Sequence, residues 1–133
     1  MANTFKTVTF AAEPASSGTP YLMYTTAGST TTVVLGLILT NIHTTAVTVN
    51  VQLVSDTANR NGSNNVANGT SLLVKDVTIP SGSSLEILTG SKVVLETTDA
   101  IQIDCSVADK VSGTLSIIVL YRFYTSKQNC NSF

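Results

Sequence analysis

Apolar residues in this chain recur at every second position, and that period decides the fold class. Val47, Val49, Val51 and Leu53 alternate with Thr48, Asn50 and Gln52, the pattern of a strand with one buried face. Ile101, Ile103, Cys105 and Val107 alternate with Gln102, Asp104 and Ser106 in the same way. Two longer runs are apolar on both sides. In Thr31–Ile42, Val33, Leu35, Leu37 and Leu39 are expected on one face and Val34 and Ile38 on the other. In the last run, Leu115, Ile117, Val119, Tyr121 and Phe123 share a face, with Ile118 and Leu120 opposite. The middle of that final strand is expected to be buried on both sides. Val, Ile and Thr dominate all four runs, and β-branched side chains suit a pleated sheet.

Shorter strands fit Thr4–Phe10, Tyr21–Thr26, Ser71–Ile79, Ser84–Leu88 and Lys92–Leu95. Turn residues separate them: Pro80-Ser81-Gly82-Ser83, Thr89-Gly90-Ser91 and Val111-Ser112-Gly113. Each places Gly or Pro where a hairpin turns and a helix breaks. No stretch shows helical spacing with caps. About nine short strands with frequent turns predict an all-β chain, a single antiparallel β-sandwich of jelly-roll type. The 133 residues make one domain. It is expected to carry an N-terminal arm over about residues 1–20 and a polar C-terminal tail over about 127–133. Asp56 to Thr70 is an Asn- and Gly-rich segment expected to project from the sandwich as a long loop.

Charge excludes several classes. Charged residues are 11% of the chain and the net charge is −1, whereas soluble domains usually carry about 25%. Ser, Thr and Asn fill about a third of the positions. Seven cations spread from Lys6 to Lys127 make no basic patch, so nucleic acid is not an expected partner. The longest apolar run, Val33–Leu39, is seven residues and includes Gly36. A membrane helix needs about 20, so no membrane partner is expected either. Met1 to Lys6 has no basic start followed by an apolar stretch, and no secretory signal is expected. Cys105 is expected to face the core, and Cys130 sits in a polar tail. Two free thiols are the leading reading, with a Cys105–Cys130 bridge as the alternative.

Enzyme chemistry finds little to work with. The one histidine, His43, lies in a turn without a nucleophile motif beside it. Glu96, Asp99 and Asp104 are the densest acidic group. Asp99 is expected to turn the chain by accepting local backbone N–H groups, and nothing drives two carboxylates into one apolar pocket. Asp56, Asn59, Asn61 and Asn64 bring only one carboxylate to a calcium site, and zinc lacks ligands. The chain is therefore expected to be no enzyme and to hold no cofactor and no metal. Asn61-Gly62-Ser63 and Asn68-Gly69-Thr70 match the glycosylation pattern but are read as turns. Surface remains. Short neutral side chains lose little entropy when covered, and charge is depleted at interface cores, which favours an assembly subunit.

Several motifs follow one another in a fixed order. Leu37-Ile38-Leu39-Thr40-Asn41 precedes the valine-alternating strand and the Asn-rich loop. Then come Leu72 to Leu88 with its Ile79-Pro80-Ser81-Gly82 turn, Lys92-Val93-Val94-Leu95, Asp99-Ala100-Ile101, and Ser116-Ile117-Ile118-Val119. Over about two-thirds of the chain this order resembles the small β-sandwich virion proteins of tailed bacteriophages, including those of cyanobacteria and marine bacteria. The resemblance implies a non-enzymatic virion structural protein present in many copies, located in the virion and assembled in the host cytoplasm. No active site carries over, and Lys127–Phe133 with Cys130 departs from the pattern.

The leading expectation is a capsid decoration or cement protein. Its partners would be itself (a homo-oligomer, with a trimer as one option) and the major capsid protein or other virion proteins. A neck, tail or baseplate protein is the first alternative, and a glycan-binding module is the second. Extended arms can clamp neighbours, so the candidate partner contacts are Pro14, Pro20 and Tyr21 near the N-terminus. Arg60, Asn61 and Asn64 in the loop, and Cys130 and Phe133 in the tail, complete the set.

Overall fold

The computed structural model describes residues 3–55, 69–88 and 92–121. Its nine strands are β1 (Thr4–Glu13), β2 (Tyr21–Thr25), β3 (Thr30–Asn41), β4 (Val47–Ser55), β5 (Gly69–Ile79), β6 (Ser84–Glu86), β7 (Val93–Leu95), β8 (Ala100–Cys105) and β9 (Val111–Tyr121). They form two antiparallel sheets. The first has the order β1-β9-β3-β6, with β7 also pairing β3, and the second has the order β2-β8-β4-β5. The chain is thus an antiparallel β-sandwich, as its alternation predicts.

The strand order has a simple origin. β1 pairs β9, β2 pairs β8, β3 pairs β6 and β7, and β4 pairs β5. These pairs are the rungs of one long antiparallel ribbon whose tip is the β4–β5 connection. Wrapping the ribbon adds the β3–β9 and β4–β8 pairings and yields the jelly roll. Between the sheets lie Val34, Leu37, Leu39, Leu115 and Ile117 from one side and Val47, Val49, Val51, Ile101 and Ile103 from the other, all essentially inaccessible to water. Cys105 is a free thiol buried among them.

Three expectations are corrected. In β3 the register shifts between Val34 and Gly36, leaving Leu35 as an extra residue opposite β9. This β-bulge reverses the alternation. Val34, Leu37 and Leu39 are buried, while Val33, Leu35 and Ile38 are not, so the even and odd positions do not keep one face each. In β9 the outer side is not buried: Thr114 and Ser116 are exposed, and Ile118 and Leu120 are half-buried. The expected N-terminal arm is largely sheet. Residues Thr4 to Glu13 pair with β9, because Val8 and Phe10 pack on the core and hold the strand down. The link that follows is also tied. The Gly18 N–H donates to Asp104 Oδ1 (3.1 Å), and the Asp109 N–H donates to the Pro14 carbonyl (2.8 Å).

Candidate functional site

The outer face of the first sheet is where this molecule departs from an ordinary sandwich. Phe5 is the register partner of Ile118, Ile118 of Val33, and Val33 of Val94. Register partners point to the same side of a sheet. The four side chains therefore form one apolar row across β1, β9, β3 and β7. Phe5 is 73% exposed and Val94 is 56% exposed. Leu120 and Thr31, also partners, stand on one side of the row. On the other side are Leu35, Gly36 and Ile38. Beyond them the face turns to small neutral groups: Thr7 opposite Ser116, Thr9 opposite Thr114, and Thr40 opposite Ser84 and Ser112.

The bulge also shapes this face. β3 pairs β6 at residues 38–40 and β7 at residues 32–34, so the extra residue falls where the neighbouring strand is interrupted. A recess of about 260 Å³ opens there, lined by Leu35, Gly36, Ile38, Glu86 and Thr114, among others. Gly36 contributes no side chain to fill it. The result is a hollow of mixed lining beside the apolar row, with Glu86, Thr114 and Ser116 among its walls.

The polar groups that sequence singled out are engaged in holding turns. Asp99 is buried and accepts from the Ser55 hydroxyl at Oδ1 (2.9 Å) and from the Glu96 N–H at Oδ2 (3.0 Å). It closes its turn in the way the Thr-Thr-Asp sequence suggests. Asp104 Oδ1 accepts from the Gly18 and Cys105 N–H groups. The His43 N–H donates to Asn41 Oδ1 (2.7 Å), and the His43 carbonyl accepts from the Ser81 hydroxyl (2.7 Å). Among the described residues no three His, Cys, Asp or Glu side chains lie together as metal ligands would. No described helix is long and apolar enough to cross a membrane.

Of the eight candidate contact residues, three lie within the described part. Pro14 is buried and follows a cis Glu13–Pro14 bond. Pro20 is exposed. Tyr21 is half-buried, with its ring 5.0 Å from that of Phe10 at 60°. Pro20 and Tyr21 line a second shallow recess of about 190 Å³ with Ala15, Thr19 and Leu22. Arg60, Asn61, Asn64, Cys130 and Phe133 lie outside the described residues, as does most of the 56–70 loop. Among the described residues, none of the tyrosine rings stands free on the surface. Tyr21, Tyr24 and Tyr121 pack on the core, and the Tyr24 hydroxyl bonds Thr32 Oγ1 (3.0 Å). The apolar row was not among the candidates. Its members are far apart in sequence, and only strand register brings them together.

No family model matches the chain, and no curated protein matches it. A solved structure described as "Bacillus endospore appendages form a novel family of disulfide-linked pili" is similar, at 14% identity and a TM-score of 0.46, covering 92% of this chain and 88% of that chain. That protein is a bacterial appendage and not a phage head protein. The expectation of a capsid decoration or cement protein is corrected on this finding, and nothing found supports a capsid-protein partner. At that identity and score the likeness carries nothing about activity to this chain. None of the comparisons bears on the family resemblance read from the motifs, or on location.

Proposed function

We propose that this chain is a non-enzymatic structural subunit that assembles with copies of itself. The observation that carries this reading is the apolar row Phe5–Ile118–Val33–Val94, standing on the outside of a molecule whose core is complete without it. Scattered surface apolar residues need no explanation. A contiguous row four strands wide, rimmed by Thr and Ser, is the signature of a contact surface. Composition supports the same reading. A net charge of −1 gives a free monomer little protection against association.

Sedimentation velocity from about 1 μM to 1 mM spans the range of specific self-association. The expected result is a concentration-dependent shift from monomer to larger species. A single monomeric species throughout overturns the proposal.

A further inference from the structure

The open edges of this sandwich all carry devices that discourage pairing with another chain. On β1, Lys6 shares the inward side with Val8 and Phe10, and its register partner is buried Ile117. A charge on the inward side of an edge strand is one such device. β1 then shifts register between Phe10 and Glu13. β2 has five residues and a shift between Leu22 and Tyr24. β5 shifts register twice against β4 and carries the exposed Lys75–Asp76 pair, with Asp76 at a φ of 51°. β6 and β7 have three residues each. Sheet extension from copy to copy is therefore opposed at every edge. The outer face of the first sheet carries no such protection. In its cross-strand rows, among the described residues, Glu86 is the one charged side chain.

We infer that this face is the self-association surface, and that its occupant is the same face of a second copy. The inference rests on the proposed function and assigns it a place. Charge favours this occupant. With Glu86 as the one charged group in its rows, the face offers little to a strongly charged partner, and across a two-fold axis it meets its own copy with only that one like charge on each side. Size favours it too. Four strands at about 4.8 Å spacing and nine residues of β9 at about 3.4 Å rise give a face of roughly 500 Å² in plan. With side-chain relief, two such faces together reach roughly the 1,200 Å² where specific interfaces begin. Shape agrees, since sheets stack face to face about 10 Å apart with strands nearly aligned. The Thr and Ser rows would form the rim and the Phe5–Val94 row the core of the contact.

The test is the paired variant Phe5→Asp with Val94→Asp in the full chain, read by sedimentation equilibrium. Both side chains are more than half exposed, so the fold should survive; far-UV circular dichroism and the melting midpoint verify it. The control is Leu22→Asp with Leu72→Asp, two leucines of 50% and 49% exposure on the outer face of the second sheet. Burying two carboxylates in a contact should weaken self-association by roughly 100-fold or more, and the control should change it by less than about 3-fold. If the aspartate pair fails to fold, Phe5→Ser with Val94→Thr is read in its place, with a loss of roughly 10-fold expected. Self-association that survives either folded variant overturns this inference and leaves the proposed function standing. Equal weakening by the control overturns it in the same way. A wild type that stays monomeric while the aspartate pair melts at a lower temperature means that the face is covered within one molecule. That outcome overturns both.

Discussion

The two sheets turn the same kind of residue inward and differ at the centres of their outer faces. On the second sheet the outer row runs Leu22, Gln102, Gln52, Leu72, with a hydrogen bond from Gln52 Nε2 to Gln102 Oε1 (2.6 Å) at its centre. The next row pairs Asn50 with Asp104, and Asn50 Oδ1 accepts the Asp76 N–H (2.7 Å). On the first sheet the corresponding central positions are Ile118 and Val33. One face thus satisfies itself with amides and stays wet. The other carries hydrocarbon across its centre and leaves Phe5 and Val94, at the two ends of the row, open to water. The inward pattern specifies the fold and leaves the outward pattern free for another use.

The sharpest test of this contrast uses two adjacent isoleucines of β9. Ile117 is 1% exposed and belongs to the core, whereas Ile118 points to the outer face. Ile117→Ala leaves a cavity and should cost about 3–5 kcal/mol. Ile118→Ala should cost about 1–2 kcal/mol, as its side chain is partly covered and the space it leaves opens to solvent. Urea unfolding at low protein concentration measures both. Equal costs would mean that the outer face is buried within the monomer, and the contrast between the two faces would collapse.

A smaller effect tests the joint between the sheets. Asn41 ends β3 and is 1% exposed. Its amide donates to the Ile79 carbonyl at the end of β5 (2.8 Å) and to Thr45 O (3.0 Å), and its Oδ1 accepts the His43 N–H. One side chain thereby fastens the 42–46 turn to the last residue of a strand in the other sheet. Asn41→Ala leaves these backbone groups without their partner and should cost about 2–3 kcal/mol. Amide exchange should show the loss concentrated at the Asn41 end of both sheets. A loss spread evenly over the strands would deny Asn41 this joining role.

The inner half of this structure was legible and the outer half was not, for a physical reason. In β4 and β8, Val47-Val49-Val51 and Ile101-Ile103-Cys105 alternate without a break, and all six are buried. Both are central strands, flanked on each side, so period two maps directly onto burial. β3 defeats the same rule. Val33, Val34 and Leu35 are all apolar, and a bulge changes the phase inside that run, where alternation has no polar residue to mark the change. Apolar residues on both sides of β9 read as double burial, because a strand covered on two faces and one with an uncovered apolar face have the same sequence pattern. Asn41 and Ser55 gave no sign of burial, since Asn and Ser are ordinarily turn and surface residues. The candidate contacts lie at turns and termini, where chemistry is visible residue by residue. The apolar row exists only after four strands are placed in register.

The smallest predicted effect concerns the hollow at the bulge. Gly36 has ordinary backbone geometry, with nothing within 4 Å of the place a Cβ would occupy. Gly113, in the neighbouring strand, is the contrasting case. A Cβ there would press on Cε2 of the Phe10 ring and lie 2.6 Å from its Cζ, so that glycine serves inward packing. At Gly36 no inward contact requires a glycine. Gly36→Ala should therefore raise stability by about 0.5 kcal/mol, through the freedom removed from the unfolded chain. It should also leave the native circular dichroism spectrum unchanged. Glycine in mid-strand is otherwise a liability, so its presence on the outer face is informative. If the gain in stability comes with weaker self-association, the hollow receives a side chain from the second copy. If the substitution stabilises the fold and leaves association unchanged, the apolar row makes the contact without it. A loss of stability would show that the bulge needs glycine for its own backbone, and the hollow would then follow from the phase change in β3.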